Sequence, residues 1–494
     1  MKKAISLAIL MAILLTTFSC GGETTPQGGD TTPSQGDATT DTETTDIYAS
    51  LPEKDFGDAE INILSYNSSY GKRDEFLWAE QTGDVVDDAL FQRNLETENR
   101  LGVKLVYEDS NAEKEAIALF NNTVLAGDDS YDTFAFKVFA LGSIFTTGVL
   151  RSWDGIEGID LSNPWYIKDA NETFTIGGKH MMIFSDALAT NMTCAWAFAY
   201  NKRLANEWKI TGLNEIVKDG KWTIDKLGEL IKDVYSDVNG DGQRDPGDIY
   251  GLYMDVGGPL DAFMQTNGIY ALKKNEDDYP EMSFYSERLV ESFEKCYSLL
   301  WENSGSCVLQ RNQFEKFYDY IKDFANGQGV FSPMFIQYFM EDTMRAMKDE
   351  YGILPYPKLT EDQEYMTYVL PRHGGFMLPK TLSSEKAEMI GYVVECLSAY
   401  SYKYLRPAIY DVALSTKGVR DDESVEMIDL VLDSRKYDFV SALQYGGSYV
   451  FTQDKTYRNL LAAKNKDITS FYESNKSAAE KYIEDLIKTL EDVE

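Results

Sequence analysis

Histidine, cysteine and basic residues are scarce in this sequence. Only two of its 494 residues are histidines, His180 and His373, and five are cysteines. No region offers histidine together with cysteine at the spacing of metal ligands, which argues against histidine-rich zinc and iron sites. The 47 lysines and arginines are outnumbered by 81 acidic residues, which gives a formal net charge of −34. Because this charge repels phosphate backbones, we expect no nucleic-acid partner.

Sequence motifs of common enzyme classes are also missing. The chain contains no G-x-S-x-G, no H-E-x-x-H and no phosphate-binding loop. Carboxylate pairs such as Asp74 and Glu75 occur throughout so acidic a chain, and they do not single out a glycosidase. His180 and His373 stand alone, and each is interpreted as structural. The sequence therefore predicts a protein that is not an enzyme.

The first residues of the chain have the pattern of an export signal. Lys2 and Lys3 precede an uncharged, mostly apolar run of 15 residues, 4–18. A membrane-spanning helix needs about 20 such residues, so the run predicts a signal peptide over residues 1–19. Cys20 then follows a serine, which resembles the lipobox of bacterial lipoproteins, in which the cysteine is diacylated. The alternative is a cleaved secretory peptide with an incidental cysteine.

Residues 20–56 are interpreted as a flexible tether. Between residues 21 and 46, Gly, Pro, Ser and Thr fill 17 of 26 positions, and Ala38 is the only apolar side chain. Burial in such a segment cannot offset the entropy lost on ordering. Lipidation of Cys20 would attach this tether to the extracellular face of the cell membrane, with the folded part of the protein beyond it.

Four further cysteines occur in the chain, at an irregular spacing. The exported compartment permits disulfides, and four cysteines allow three pairings. Cys194 and Cys396 lie in apolar runs and are predicted to be buried thiols. A disulfide between Cys296 and Cys307 is left open by the sequence.

The folded part begins near residue 57 and alternates strand patterns with helix patterns. Segments 60–66, 103–108 and 131–139 have the length and apolar pattern of strands, with helical segments between them. This order indicates βαβ units and a parallel sheet, hence an α/β fold. Ligands of such sheets bind beyond the carboxyl ends of the strands. The side chains predicted at those ends are Tyr66, Asn67, Lys137 and Phe139.

The second half of the chain contains a similar alternation. Strand patterns occupy residues 179–187, 191–204, 351–358 and 374–381. Residues 221–236 have a helical pattern, with Thr223 as the predicted N-cap. Another helix is predicted to begin at Ser383 and to continue to about Tyr404, and the highly charged end of the chain is also predicted to be helical.

The order of these segments resembles the solute-binding lipoproteins of ABC importers, specifically the maltose-binding type. The segments that carry the resemblance are AYNKRL (199–204), KWTIDKL (221–227), FANGQGVFSPMF (324–335), YGILPYPK (351–358) and GGFMLPKT (374–381). It implies a periplasmic-binding-protein-like fold, in which two α/β lobes are joined by hinge strands around a central ligand cleft. Lobe one would contain residues 57–155 with 370–405, and lobe two residues 156–369 with 406–494.

The resemblance also implies a function. A monomer would capture a sugar or oligosaccharide between its lobes and deliver it to the permease subunits of the importer. Aromatic residues make up 13% of the chain, and aromatic rings suit the apolar faces of sugars. The resemblance places several further residues at the cleft: Trp165, Tyr166, Asp186, Phe263, Phe335 and Tyr338. The alternative is a surface glycan hydrolase or a glycan-attachment lipoprotein.

Residues 237–248 match the twelve-residue calcium loop. Gly242 fills the position of the sharp turn, and the carbonyl group of Gln243 would be the seventh-position ligand. Oxygen-bearing side chains fill the other ligand positions: Asp237, Asn239, Asp241, Asp245 and Asp248. The sequence therefore predicts a structural calcium ion that fixes the loop after the 223–236 helix. The alternative is an Asx-Gly turn without metal.

Overall fold

The computed structural model describes residues 47–66, 81–110, 113–414, 422–443 and 449–493. Cys20, Asn67 and the predicted signal peptide lie outside these ranges, as does the side chain of Tyr66. The chain divides into two units, Met1–Ala49 and Ser50–Glu494, and all the elements below belong to the second. None of the helices in the described part combines the length and the apolar character that crossing a membrane requires.

The strands are short and are spread along the chain. In chain order they are β1 (Ala59–Tyr66), β2 (Val103–Ser110), β3 (Thr133–Lys137), β4 (Leu150–Arg151), β5 (Trp196–Asn201), β6 (Tyr235–Ser236), β7 (Ile249–Asp255), β8 (Leu272–Lys274), β9 (Pro280–Met282), β10 (Ser306–Leu309), β11 (Gly329–Phe335), β12 (Tyr351–Leu354), β13 (Thr367–Tyr368), β14 (Gly374–Pro379) and β15 (Arg435–Lys436).

Helices connect and flank the strands. In chain order they are α1 (Val85–Leu101), α2 (Glu113–Leu125), α3 (Gly142–Phe145), α4 (Lys168–Thr173), α5 (Thr190–Thr193), α6 (Lys202–Glu207), α7 (Leu213–Lys218), α8 (Ile224–Ile231), α9 (Gly258–Thr266), α10 (Glu287–Tyr297), α11 (Tyr320–Ala325), α12 (Ile336–Phe339), α13 (Asp342–Arg345), α14 (Ser384–Tyr400), α15 (Arg406–Leu414), α16 (Asp422–Asp433), α17 (Tyr457–Ala462) and α18 (Ile468–Val493).

The first lobe is built on a five-stranded sheet in the order β2-β1-β3-β14-β4. Strand β1 is parallel to β2 and β3, and β14 is antiparallel to β3 and β4. The buried side chains of β1, such as Ile61 and Leu64, explain its strand pattern. Helix α1 begins where Asp84 accepts the N–H groups of Val86 and Asp87, and it ends at Gly102 in the left-handed region. The carboxyl ends of β1 and β3 therefore lie at one edge of this sheet.

The second lobe is built on another sheet, in the order β10-β7-β11-β5-β12, with β6 paired to β7. Strand β7 is parallel to β10 and β11, whereas β5 is antiparallel to β11 and β12. In this register Phe335, at the end of β11, faces Trp196, at the start of β5. The carboxyl ends of four strands, β7, β10, β11 and β12, therefore lie at the same edge of the second sheet as the amino end of β5.

Two chain segments cross between the sheets, and Asn191 ties them together. Its side chain donates to the carbonyl oxygen atoms of Ser185 (2.6 Å) and Gly374 (2.9 Å), and it accepts the Gly374 N–H (2.8 Å). An isolated bridge joins Ala195 to Val369 on the second-lobe side of this point. These contacts place the crossings near residues 187–195 and 369–374.

The first lobe includes more of the chain than the sequence predicts. Ile183 pairs with Phe376 in β14, and the Tyr166 hydroxyl group donates to Glu395 in α14. Both ends of the 156–187 segment thus pack on the first sheet and its helix α14, whereas the predicted boundary assigns this segment to lobe two. Sequence patterning could not place them, because long-range pairing with β14 and α14 decides where this segment lies.

Several predicted elements are confirmed, and others are shorter than predicted. The Thr223 hydroxyl group accepts the Lys226 N–H (3.1 Å), and Ser383 caps α14 in the same way (3.2 Å). The predicted strand 191–204 contains only β5, between the short helices α5 and α6. The predicted strand 179–187 forms isolated bridges only.

Candidate functional site

Four aromatic rings form a cluster, here named the aromatic wall, at the edge of the second sheet. Its members are Trp196, Tyr318, Phe335 and Tyr338. Phe335 is the centre: its ring centroid lies 5.4 Å from that of Trp196, 5.5 Å from Tyr318 and 4.6 Å from Tyr338. Trp196 and Phe335 are buried, whereas Tyr318 and Tyr338 are half-buried. The two tyrosines therefore give the wall its accessible surface.

A strip of further aromatic side chains continues the wall. The Phe317 ring lies 6.4 Å from Tyr318 and 5.3 Å from Phe314, measured between centroids. The Arg311 guanidinium group lies 5.0 Å from the centre of Phe314 and 5.3 Å from that of Phe317. Phe317 is 44% exposed, which is unusual for a large apolar side chain. This strip gives the site an open aromatic surface.

Two glycines allow the chain to pass close to these rings. A Cβ atom on Gly257 would lie 2.6 Å from Cδ1 of Phe317. A Cβ atom on Gly258 would lie 2.7 Å from Cζ2 of Trp196 and 2.8 Å from the Tyr318 hydroxyl oxygen. Because β7 ends at Asp255 and α9 starts at Gly258, the turn between them runs directly under the aromatic wall.

Buried carboxylates lie near the wall. Burial raises the pKa of Asp255 to about 6 and that of Asp261 to about 7. Asp261 forms an ion pair with Arg458, with 2.8 Å between the carboxylate oxygen and Nη1. Asp255 instead accepts two backbone N–H groups, from Gly257 (2.7 Å) and Tyr318 (2.9 Å). The side chain of Asp255 is therefore bonded to the two loops that carry the aromatic surface.

The first lobe contributes residues at the end of β3. Lys137 is buried, and its ammonium group lies 3.1 Å from the Thr190 hydroxyl oxygen in the crossing segment. Phe139 lies in the next turn and is 6% exposed. The Arg372 guanidinium group lies 4.6 Å from the centre of the Phe139 ring. Lys137 and Phe139 thus lie beside the crossing segments, although the Lys137 ammonium group already donates a hydrogen bond to Thr190.

Three further predicted cleft residues are buried and bonded within the protein. Trp165 is 1% exposed, and its carbonyl oxygen accepts the Asp186 N–H (3.0 Å). Tyr166 is bonded to Glu395, and burial raises its pKa. The Asp186 carboxylate is bonded to Arg435 (3.2 Å) and lies 3.6 Å from Arg406. These residues join the first lobe to the chain's later segments, so the prediction that they belong to lobe two is corrected.

Phe263 is also placed differently from its prediction. It lies within α9 rather than in a loop, and it is 0% exposed. Its ring packs edge-on against Tyr356 (5.1 Å) and Phe198 (6.3 Å). The whole of α9 is buried, because this helix lies between the second sheet and the later helices. Phe263 is a core residue, whereas Phe335 and Tyr338 lie at the edge of the second sheet, and their role in ligand binding stays a prediction.

The 237–248 loop turns back on itself through its own side chains. The two carboxylate oxygens of Asp237 accept the N–H groups of Gly240 (2.6 Å) and Gly242 (2.9 Å). The Asp248 carboxylate is buried, and it accepts the Tyr235 hydroxyl group (2.9 Å). Within the described ranges, no three carboxylate, imidazole or thiol groups converge where a metal ion would fit. Calcium binding at this loop stays a prediction.

The histidines and cysteines occupy structural positions. His180 bonds to Asp154 at the surface, with 2.8 Å between Nδ1 and the carboxylate oxygen. His373 is buried beside Tyr437, with 4.7 Å between ring centroids. The four described cysteines are free thiols: Cys194, Cys296, Cys307 and Cys396. The predicted burial of Cys194 and Cys396 is confirmed, and Cys296 does not pair with Cys307.

Sequence reasoning missed several residues of the site. Trp196 could have been found, because it begins β5, and this strand continues into AYNKRL (199–204), one of the segments that carry the family resemblance. Tyr318 and Phe317 lie in the sequence FEKFYDY (314–320), whose density of aromatic residues is visible. No local sequence pattern indicates a role for Asp255, because its hydrogen-bond partner Tyr318 is 63 positions away.

Comparisons with known proteins agree with this architecture. No protein-family model and no curated protein matches the chain. The apo-form of RafE from Streptococcus pneumoniae is 15% identical, with 88% of this chain and 98% of that chain covered and a TM-score of 0.52. The galacto-N-biose-/lacto-N-biose I-binding protein of an ABC transporter from Bifidobacterium longum, in complex with lacto-N-biose, is 11% identical, with 88% and 98% covered and a TM-score of 0.52.

These likenesses show the fold. The chain has the two-lobed, periplasmic-binding-protein-like α/β fold of solute-binding proteins, and the predicted fold class is confirmed. The similarity extends over almost the whole length of both solved structures, so it includes both lobes.

Proposed function

We propose that the chain is the solute-binding component of an ABC importer and that it captures a sugar or oligosaccharide between its two lobes. The observation that carries this proposal is the aromatic wall, because it exposes rings where this fold brings strand ends together. Sugar rings have apolar faces that pack on aromatic rings. The exposed ring of Phe317 extends this surface beyond Tyr318, which suits a ligand longer than one sugar ring.

Ligand binding would couple to closure of the lobes. A ligand shifts an open–closed equilibrium only through contacts that differ between the two states. The aromatic wall supplies contacts from the second lobe, and Phe139 with Arg372 supplies them beside the crossing segments. Asn191 ties the two crossing segments together, so it is a natural fixed point for such a motion.

Membrane attachment and delivery belong to the same proposal. Cys20 would carry the lipid, and residues 20–56 would give the binding lobes room to reach the permease subunits at the extracellular face of the cell membrane. The support is the sequence pattern at residues 1–20. A calcium ion held by the 237–248 loop would be a structural addition in the second lobe, distant in sequence from the wall.

A thermal-shift screen of mono- and oligosaccharides tests the binding role. A ligand at 100 times its Kd stabilises the folded protein by about 2.7 kcal/mol, which raises the melting temperature measurably. The best saccharide then goes to calorimetry with the Phe317→Ala variant. We expect truncation of this exposed ring to cost about 1–3 kcal/mol of binding free energy.

Tyr285→Ala is the matched control. Tyr285 is also exposed (37%), but its ring stacks on Tyr472 in α18 at 4.4 Å rather than on a ring of the wall. It should bind the saccharide with wild-type affinity. If no saccharide stabilises the protein, or if both variants lose affinity equally, the proposed cleft is wrong. Cleavage of the saccharide by the purified protein would favour a glycan hydrolase instead.

A further inference from the structure

Asp255 joins two loops that are far apart in sequence. It is the last residue of β7, and its side chain is 0% exposed. Oδ1 accepts the Gly257 N–H at 2.7 Å, and Oδ2 accepts the Tyr318 N–H at 2.9 Å. Hydrogen bonds to a carboxylate are stronger than those between neutral groups. One side chain thus fixes both the turn under the aromatic wall and the loop that carries Tyr318.

Tyr318 has an unfavourable backbone conformation. Its φ angle is +72°, in the left-handed region that bulky side chains rarely adopt. Such a conformation persists only where the surrounding structure holds it, and it occurs often at binding sites. The Asp255 carboxylate bonds directly to the N–H group of this residue. The strain at Tyr318 is therefore offset by a contact that only a buried acceptor at position 255 provides.

The conformation of Tyr318 determines where its ring lies. From this backbone position the ring packs edge-on against Phe335 at 86° and reaches Tyr338 at 5.4 Å. Its hydroxyl oxygen lies 2.8 Å from the position of a Cβ atom on Gly258, so the ring fits closely over the turn. A change of φ at Tyr318 would move the ring out of the aromatic wall.

The carboxylate of Asp255 uses its hydrogen bonds to hold these two loops. In the part of the chain that the structure describes, no lysine or arginine forms an ion pair with it, and its hydrogen-bond donors are the two backbone groups. Burial raises the pKa of Asp255 to about 6, so the side chain is still ionised at neutral pH. A buried, ionised carboxylate is costly unless its hydrogen bonds are strong.

We propose that Asp255 is a positioning residue for the ligand: its carboxylate holds Tyr318 in the aromatic wall through the backbone, and it sets the affinity for sugar without touching the sugar. The effect on affinity rests on the proposed function, whereas the effect on the Tyr318 ring does not. The two parts are therefore tested separately.

The first test needs no ligand. A fluorotyrosine placed at position 318 reports the environment of that ring by fluorine NMR. We expect one narrow resonance in the wild-type protein, and a shifted or multiple resonance in Asp255→Asn, which removes the charge and one acceptor. Asp323→Asn is the control, because Asp323 lies on the following helix α11 and bonds to Tyr253 rather than to Tyr318. An Asp255→Asn spectrum identical to wild type would overturn the proposal.

The second test is a double-mutant cycle on the affinity for the best saccharide. Asp255→Asn alone should weaken binding about tenfold, as truncation of a central contact does. In a Tyr318→Ala background, the same change should cost less than about twofold, because the ring that Asp255 positions is already gone. Equal losses in both backgrounds would mean that Asp255 acts on the fold in general, and would refute its role through Tyr318.

The remaining outcomes are also decisive. If Asp255→Asn does not fold, Asp255→Glu disturbs the same two contacts without a change of charge, because its longer side chain moves the carboxylate away from the Gly257 and Tyr318 N–H groups. It should alter the fluorine resonance in the same way, and an unaltered resonance would count against the proposal. If wild-type protein binds no saccharide while the ring signal responds to Asp255→Asn, the proposed function fails and the positioning role stands.

Discussion

The contribution of His373 to the stability of this protein should fall as the pH drops below about 6.5, because His373 is buried in its neutral form. The residue lies just before β14 and is 1% exposed. Its Nδ1 atom is 3.0 Å from the Leu370 carbonyl oxygen, which places the ring proton on Nδ1. Nε2 is buried and has no hydrogen-bond partner among the described residues. The pKa of His373 is lowered to about 3, mainly by burial and also by the nearby cations Lys137 and Arg435.

The sign and size of the effect follow from proton linkage. An unfolded histidine has a pKa of about 6.5, so between that pH and about 3 the unfolded chain binds a proton that the native protein does not. Stability therefore decreases as the pH falls through this window. Each pKa unit is worth about 1.36 kcal/mol, so the whole window corresponds to about 4–5 kcal/mol. The free energy of unfolding of a domain is typically about 5–15 kcal/mol, so protonation linked to His373 alone would remove a large part of it.

Denaturant unfolding at several pH values measures the effect. Between pH 6.5 and pH 5 the wild-type protein should lose about 2 kcal/mol that His373→Gln does not lose, because glutamine has no group that titrates there. His180→Gln is the comparison, since that imidazole lies at the surface; it should keep the acid-induced loss due to His373. Parallel curves of stability against pH for wild type and His373→Gln would refute the reasoning.

Three further expectations follow from the sequence and the packing. Calcium should raise the melting temperature of the protein, and EDTA should lower it. Asp241→Ala should remove this difference. If calcium-loaded and EDTA-treated wild-type protein melt at the same temperature, the 237–248 loop binds no calcium. Cys20→Ala should release the protein from the membrane fraction into the medium, and its retention would exclude a lipid anchor at that residue. Trp165→Ala should lower the unfolding free energy by about 3–5 kcal/mol, because Trp165 is a buried core residue. The folded protein that remains should bind saccharide with wild-type affinity. A loss of affinity without a loss of stability would mean that Trp165 is a cleft residue.

Local signals in the sequence predict much of the fold. Thr223 and Ser383 are correct as N-caps, because capping depends on a few neighbouring residues. The βαβ order predicts the first sheet, since crossover connections follow the chain. The strand predicted at 191–204 is too long, because Asn191 bonds to the neighbouring crossing segment and the chain is helical there.

The site is harder to predict because long-range contacts build it. The role of Phe335 and Tyr338 in ligand binding stays a prediction, whereas Phe263 lies in a buried helix rather than in the predicted loop. Tyr318 enters the wall through a bond to Asp255, and no pattern within the loop indicates that contact. Sequence periodicity reports which face of an element is apolar, but not which distant loop lies against it.

Small-angle scattering with and without the best saccharide tests the central claim most directly. If the two lobes close on a sugar, saturating ligand should reduce the radius of gyration in the wild-type protein. Tyr318→Ala should show this compaction only at higher ligand concentration. An unchanged radius of gyration at a ligand concentration that saturates calorimetric binding would contradict capture between the lobes.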